Sequence, residues 1–156
     1  MITELTRMWL TRSTKPFLFK KEYDQELPFS DCDGLGLYVH IPFCRSICSF
    51  CPYCKTLYSE EACSRYIDAL IREIHLAGSQ IPGKKIVTSL YFGGGTPALA
   101  ADRIKEIIDA IQEHFIITQG IGIELHPENI TPRTLHILKE AGITKLSIGI
   151  QSFQEK

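Results

Sequence analysis

Four cysteines within eleven residues constrain this chain more than any other feature of its sequence. Cys44, Cys48, Cys51 and Cys54 directly follow the apolar run 36–43, so a strand would deliver four thiols to one short loop. Thiolates prefer soft metal centres such as iron–sulfur clusters, zinc or copper(I). The first three can converge on a four-iron cluster and leave one iron without a protein ligand, whereas a closed zinc site would use all four. The spacing favours the cluster and leaves a structural zinc module as the alternative.

The composition is that of a soluble globular protein with one domain. The 156 residues are 44% hydrophobic and 22% charged, and 17 basic against 18 acidic side chains give a net charge of −1, which does not indicate a nucleic-acid partner. No apolar run approaches the ~20 residues that span a bilayer, and the amino terminus lacks a signal-peptide core. We therefore expect a cytoplasmic protein with reduced thiols, which argues against a disulfide framework.

The chain divides into two parts by its hydrophobic pattern. Residues 1–34 show no sustained period and are interpreted as an N-terminal extension with a short helix near residues 2–10. From residue 35 the pattern alternates between strands and helices. The predicted strands are 35–41, 86–92, 120–125 and 144–150, and the predicted helices are 60–77, 102–115 and 132–141. Gly78 and Gly142 are expected to end the first and third helices, and Thr131 to cap the third.

This alternation predicts an α/β fold with a parallel sheet built from βα repeats. The chain stops after its fourth strand, so we interpret residues 35–156 as a core truncated at that point. Its C-terminal half would belong to a longer chain or to a partner.

Several polar segments follow the predicted strands, at the edge where ligands bind in parallel sheets. They are the cysteine loop, the segment 93–97, Glu124 with His126-Pro127, and Gln151. Free backbone N–H groups of residues 93–96 are expected to face an anion, with a simple tight turn as the alternative. Glu124 would accept hydrogen bonds from ligand hydroxyls, or form an ion pair with a Lys or Arg.

The remaining candidates are aromatic, histidine and cysteine side chains. Tyr38 and His40 share one face of the first strand and would line the interior beneath the cysteines. Phe50 could stack on an aromatic ligand or shield the sulfurs from water. His40 is interpreted as a core residue rather than a ligand. Cys32, Cys54 and Cys63 are expected to have no site role, and Cys63 is interpreted as a packing residue. No metal-site spacing relates His75, His114, His126 and His136, so they are left unassigned.

Four motifs in this order closely resemble the radical S-adenosylmethionine (SAM) superfamily. They are Tyr38-Val-His-Ile-Pro-Phe-Cys44-x3-Cys48-x2-Cys51, then residues 91–97, 123–127 and 147–153. Within the superfamily the chain resembles the oxygen-independent coproporphyrinogen III oxidase group, which includes a related haem chaperone. The resemblance implies the first half of a partial TIM barrel. It also implies a [4Fe–4S] cluster on Cys44, Cys48 and Cys51, with SAM bound to the fourth iron.

The resemblance further implies an oxidoreductase that cleaves SAM reductively to a 5′-deoxyadenosyl radical. A reductant protein would supply the electron, and a porphyrinogen or haem-like substrate would undergo oxidative decarboxylation, with a haem chaperone lacking this activity as the alternative. The implied cofactor contacts are Tyr38, Phe50, Gly94, Gly95, Thr96, Glu124 and Gln151. Two departures from the group, the position of Cys54 and the Phe at position 50, leave the substrate open. The truncated chain is expected to be an incomplete catalyst.

Overall fold

The structure is a computed structural model that describes residues 32–152. The predicted N-terminal extension, with its helix near residues 2–10, lies outside the described residues except for residues 32–34. Cys32 is exposed, and its backbone carbonyl accepts a hydrogen bond of 2.9 Å from Lys85 Nζ. No helix between residues 32 and 152 is long and apolar enough to cross a membrane.

Strands and helices alternate along the described residues, as the sequence predicts. The strands are β1 (Leu35–Ile41), β2 (Phe43–Cys44), β3 (Thr56–Leu57), β4 (Lys85–Gly94), β5 (Phe115–Ile117), β6 (Ile121–Leu125) and β7 (Ile143–Ile148). The helices are α1 (Glu60–Ser79), α2 (Ala101–His114) and α3 (Pro132–Glu140). Each of the four predicted strands and three predicted helices is present, with its ends displaced by at most two residues. The short strands β2, β3 and β5 were not predicted, because two or three residues are too few to show a period of two.

The main sheet is parallel, which confirms the predicted α/β fold. Its strand order is β1-β4-β6-β7, and β5 pairs with the first residues of β4, ahead of β6. Because each parallel connection crosses over the sheet, the carboxyl ends of the strands meet at one edge and their starts at the opposite edge. We call these the carboxyl edge and the amino edge.

The helix ends show which glycine predictions hold. Thr131 caps α3, since its side-chain oxygen accepts a hydrogen bond from the Thr134 N–H. Gly142 follows α3 with a φ of +94° and donates to the Lys139 carbonyl, as predicted. The prediction that Gly78 ends the first helix is wrong, because α1 continues to Ser79 and Gly78 is buried. A Cβ at Gly78 would lie 2.2 Å from His114 Cγ, so this glycine permits close helix packing instead.

The core lies between the sheet and the helices. The isoleucines Ile104, Ile107, Ile108 and Ile111 of α2 are buried in this core, and Cys63 and Ile67 of α1 are buried in it as well. The prediction that Cys63 is a packing residue is therefore confirmed. By contrast, five of the six residues of β7 are exposed, and β7 is the last strand of the described sheet. The sheet thus ends at β7 with an open face.

Candidate functional site

The cysteine loop, residues 44–55, is closed at its base by β2 and β3. These strands pair in parallel, and the Tyr58 N–H donates to the Cys44 carbonyl at 2.9 Å. On the other side of β2, the Thr96 N–H donates to the Phe43 carbonyl at 2.7 Å. Cys44 is therefore held between the loop base and the glycine segment that follows β4.

Inside the loop, backbone contacts separate Cys54 from the other three cysteines. The Cys51 N–H donates to the Cys48 carbonyl at 3.3 Å, and Lys55 Nζ donates to the Cys51 carbonyl. The Cys54 carbonyl instead contacts His40 Nε2 at 3.0 Å. Cys44, Cys48 and Cys51 line a cleft at the carboxyl edge, and Cys54 does not. This placement agrees with the predicted non-ligand role of Cys54.

The cleft has a volume of about 400 Å³, which is within the usual range of small-molecule sites. Nine of the ten predicted site residues line it, namely Cys44, Cys48, Phe50, Cys51, Gly94, Gly95, Thr96, Glu124 and Gln151. Tyr38 does not. Its ring is 59% exposed and stacks on Tyr91, with 6.4 Å between the ring centroids. The predicted side-by-side placement of Tyr38 and His40 is present, with 3.4 Å between Tyr38 Oη and His40 Nδ1.

Glu124 lies at the floor of this cleft with two neutral partners. Its carboxylate accepts hydrogen bonds from the Tyr91 hydroxyl at 3.4 Å and from the Gly94 N–H at 3.3 Å. Within residues 32–152 no Lys or Arg forms an ion pair with Glu124, so the structure does not support the ion-pair alternative. A carboxylate has about four acceptor positions, so two remain for a ligand.

Three of the N–H groups in residues 93–96 are hydrogen-bonded within the protein, which favours the tight-turn alternative. The Gly94 N–H binds Glu124, the Gly95 N–H donates to the Ile41 carbonyl at 2.8 Å, and the Thr96 N–H donates to the Phe43 carbonyl. The N–H groups are used inside the protein because this segment packs directly against β1 and β2. A Cβ at Gly95 would lie 2.5 Å from the Phe43 carbonyl oxygen. The predicted role of Gly94, Gly95 and Thr96 then depends on shape and on the Thr96 hydroxyl rather than on backbone donors.

Burial and nearby charges act on the titratable groups of the site. Burial raises the pKa of the Cys44 thiol, and a hydrogen bond from the Thr96 hydroxyl partly offsets this shift. Burial raises the pKa of Tyr38 as well, and the carboxylate of Glu124 adds to it. Cations and acids both line the cleft, so its charge is mixed. Such a cleft suits a zwitterionic ligand better than a simple anion or cation.

Sequence reasoning missed several residues of the cleft. They are Arg45, Lys55, Glu128 and Asn129, whereas His126 and Ser147 belong to motifs already singled out in the sequence. Each lies in the cysteine loop or within a few residues of a strand end at the carboxyl edge, so proximity to those ends was the available signal. His75 and His114, which the sequence left unassigned because they show no metal-site spacing, have ring nitrogens 3.0 Å apart in the structure.

The donor set of the cleft was compared with the two metal centres that the sequence allows. Zn–S bonds of about 2.3 Å place tetrahedral sulfurs about 3.8 Å apart. In the described part of the chain, no three loop cysteines have sulfur atoms that all lie within 4.8 Å of one another. Three separated thiolates fit a multi-iron cluster, which is larger than one ion, better than they fit a closed zinc site.

Comparison with known proteins adds a family to this geometry. The family model described as the Radical SAM superfamily matches residues 38–156. The solved structure described as "Coproporphyrinogen III oxidase (HemN) from Escherichia coli is a Radical SAM enzyme" has the same α/β fold, with a TM-score of 0.71 and 34% identity. The matched region covers 78% of this chain and 29% of the chain in that solved structure.

The similar curated proteins have three different names. Anaerobilin synthase of Escherichia coli O157:H7 is 40% identical over 77% of this chain and 28% of its own length. The oxygen-independent coproporphyrinogen III oxidase of Pseudomonas aeruginosa is 34% identical over 76% and 27%. The heme chaperone HemW of Bacillus subtilis is 31% identical over 76% and 32%. The chain thus spans about a third or less of the length of these relatives.

Proposed function

The chain belongs to the radical SAM superfamily, and from this membership we propose that its cleft holds a [4Fe–4S] cluster and S-adenosylmethionine. The observation that supports this best is the convergence of Cys44, Cys48 and Cys51 with Glu124 and Gln151 around one cleft. These residues are up to 107 positions apart in the sequence, from Cys44 to Gln151. Their common location follows from the parallel sheet, which brings the strand ends together.

Cys44, Cys48 and Cys51 would hold the cluster as thiolates. When bound, the cluster supplies one electron that cleaves the C–S bond of SAM. Lys55 supports the loop by donating to the Cys51 carbonyl, and its positive charge favours the thiolate form of Cys44. The Thr96 hydroxyl acts in the same direction by donating to the Cys44 sulfur. The protein thus offsets part of the cost of burying a thiolate near other negative sulfurs.

The other residues of the cleft would bind and orient SAM. The carboxylate of Glu124 would accept hydrogen bonds from hydroxyl or amino groups, because it keeps two acceptor positions after binding Tyr91 and Gly94. Gln151 offers both a donor and an acceptor. Phe50 is 67% exposed and lies in the cysteine loop, where its ring can cover an aromatic base. Tyr38 would act through Tyr91 rather than by direct contact.

For the whole protein we propose oxidation of a tetrapyrrole of the coproporphyrinogen III type, with a reductant protein as electron donor. The relatives named as oxidases and as a chaperone share coproporphyrinogen or heme in their names, and the similar solved structure is an oxidase. Residues 35–156 would form the part of the core that binds the cluster and SAM. The second candidate is haem binding without oxidation, which the 31% identity to the heme chaperone supports.

Anaerobic reconstitution of the chain with iron and sulfide tests the cluster. We expect about four irons per chain, visible charge-transfer absorption, and a change in the spectrum of the reduced cluster when SAM is added. One zinc per chain, with no iron bound, would contradict the proposal.

A full-length protein containing this chain tests the substrate. Turnover of coproporphyrinogen III with consumption of SAM supports the oxidase. Stoichiometric haem binding without turnover supports the chaperone instead. Formation of a bilin would instead indicate the activity for which the anaerobilin synthase is named.

A further inference from the structure

A second cluster of metal-binding side chains lies where the ends of α1 and α2 meet. His75 is four residues before the end of α1, and Glu113 and His114 are the last two residues of α2. One ligand atom from each of the three lies within 4.8 Å of the other two. We infer that these three residues form a binding site for a divalent transition-metal ion of the zinc, nickel or copper(II) type.

The distances within this cluster are close to those of a metal site. His75 Nδ1 lies 3.0 Å from His114 Nε2 and 3.7 Å from Glu113 Oε2. Zn–N and Zn–O bonds of about 2.0–2.1 Å place two tetrahedral ligands about 3.3 Å apart. The observed separations differ from this value by about 0.3 and 0.4 Å, so small side-chain shifts would admit an ion.

The packing of the helices holds the His114 ring in this position. Gly78 is buried on α1, and a Cβ there would lie 2.2 Å from His114 Cγ. The ring therefore rests directly on the backbone of α1, with its Nε2 facing His75. The two rings meet edge to face, with 5.3 Å between their centroids. This fixed arrangement lowers the conformational entropy that metal binding would cost.

The electrostatic environment favours a cation. Helix carbonyl groups give the carboxyl end of a helix a partial negative charge, and His114 ends α2. Glu113 adds a full negative charge within reach of the same position. The side chains of His75 and Glu113 are 40% and 65% exposed, so an ion can enter and keep a water in a fourth position.

The donor types decide the class of ion. Two imidazoles and one carboxylate suit zinc, nickel and copper(II), whereas calcium and magnesium prefer sites made of oxygen atoms. One of the two nitrogens, His75 Nδ1 or His114 Nε2, carries the proton of their hydrogen bond. When the ion binds, that proton moves to the other nitrogen of the same ring. Both inner nitrogens then face the metal as neutral ligands.

This site is separate from the cysteine cleft. In βα units the helices run antiparallel to the strands, so the carboxyl ends of α1 and α2 lie at the amino edge of the sheet. None of the three residues lines the cleft. A metal here would cross-link the two helices and stabilise their packing, rather than take part in the chemistry at the carboxyl edge.

Nuclear magnetic resonance of the histidine rings tests the site without any substitution. Zinc chloride is added in excess to the reduced, ¹⁵N-histidine-labelled 156-residue chain, and the ring nitrogen signals are followed. We expect His75 Nδ1 and His114 Nε2 to move to metal-bound positions, whereas the exposed His136 of α3 stays unchanged. Unchanged His75 and His114 signals in excess zinc would show a hydrogen-bonded histidine pair only and overturn the inference.

Calorimetry adds a measurement of affinity. In the full chain with Cys32, Cys44, Cys48, Cys51 and Cys54 each replaced by Ser, which removes every competing thiol except the buried Cys63, His75→Gln should weaken zinc binding more than about 100-fold. His136→Gln, at an exposed histidine, should change it less than about twofold. An affinity loss of less than about threefold in His75→Gln would assign the zinc to other residues and overturn the inference.

Discussion

The carboxyl and amino edges of the sheet both gather metal-binding side chains, but in different ways. At the carboxyl edge the donors are the sulfurs of Cys44, Cys48 and Cys51, which do not all lie within 4.8 Å of one another. At the amino edge two nitrogens and an oxygen come from two helix ends and already lie within 4.8 Å of one another. The first arrangement needs a large cofactor to join its donors, and the second needs only one ion.

The two sites also depend on different glycines. At the carboxyl edge, Gly95 allows the segment after β4 to contact the backbone of β2. At the amino edge, Gly78 allows a side chain to contact the backbone of α1. Substitutions at or near each edge should therefore affect one site and leave the other intact.

The largest expected effect is loss of the cluster. Cys44→Ala, Cys48→Ala or Cys51→Ala should each abolish cluster assembly, because two thiolates do not hold four irons stably. Iron content and visible absorption after anaerobic reconstitution measure this. Cys54→Ala is the matched control and should keep nearly all of the iron. Loss of the cluster in Cys54→Ala, with retention in Cys44→Ala, would show that the ligands are assigned wrongly.

A smaller effect is expected at Glu124. Glu124→Gln should weaken SAM binding at least about tenfold, because hydrogen bonds to a charged acceptor are about twice as strong as neutral ones. The iron content should not change. Glu128→Gln is the control, since Glu128 also lines the cleft but is exposed. Calorimetric titration of the cluster-loaded chain with SAM measures the affinity of both variants. Equal losses of SAM affinity in Glu124→Gln and Glu128→Gln would contradict a specific role of Glu124.

At the amino edge, Gly78→Ala should destabilise the protein. Helix propensity alone would make alanine more favourable by about 1 kcal/mol. The close contact with His114 opposes this, and overpacking of this kind costs about 1–3 kcal/mol. We expect a net loss of about 1 kcal/mol in the free energy of unfolding, measured by urea denaturation.

Gly36→Ala is the control for that substitution. A Cβ at Gly36 meets no atom within 4 Å, so the free energy of unfolding should change by less than about 0.5 kcal/mol. Gly78→Ala should also weaken zinc binding at His75 and His114, while the cluster remains. A stabilised Gly78→Ala variant would show that the His114 ring can move away without cost.

An effect no larger than that of Gly78→Ala is expected at Tyr66, beneath the carboxyl edge. Its hydroxyl donates to the His40 carbonyl at 2.7 Å, so Tyr66→Phe should cost about 1 kcal/mol of unfolding free energy at neutral pH. Tyr58→Phe is the matched control. Both rings contact Phe43 edge to face, but the Tyr58 hydroxyl makes no hydrogen bond within residues 32–152. Equal losses in the two variants would assign the effect to ring packing.

The pH dependence of stability provides a further check on Tyr66. Burial raises the pKa of its hydroxyl, so the folded state keeps it neutral while the unfolded chain ionises it. The stability that depends on this group is complete below about pH 10 and is lost as the pH rises through the raised pKa. Tyr66→Phe should remove that part of the alkaline decline. An unaltered decline would show that other groups cause it.

Much of the fold could be predicted because its signals are local. The isoleucines of α2 recur with the helical period and are buried, and Thr131 caps α3 as predicted. The short strand β5 escaped prediction because its pairing with β4 depends on a distant segment. Gly78 was misread for a related reason, since its role depends on His114, 36 residues later in the chain.

The sequence by itself determined the spacing of the three cysteines and the order of strands and helices, because both depend on neighbouring residues. Only the tertiary structure decided that the N–H of Gly94 is used by Glu124, and that His75 lies beside His114. Those contacts depend on how distant strands and helices pack. Packing sums many weak contacts between segments far apart in the chain, and no local pattern records that sum.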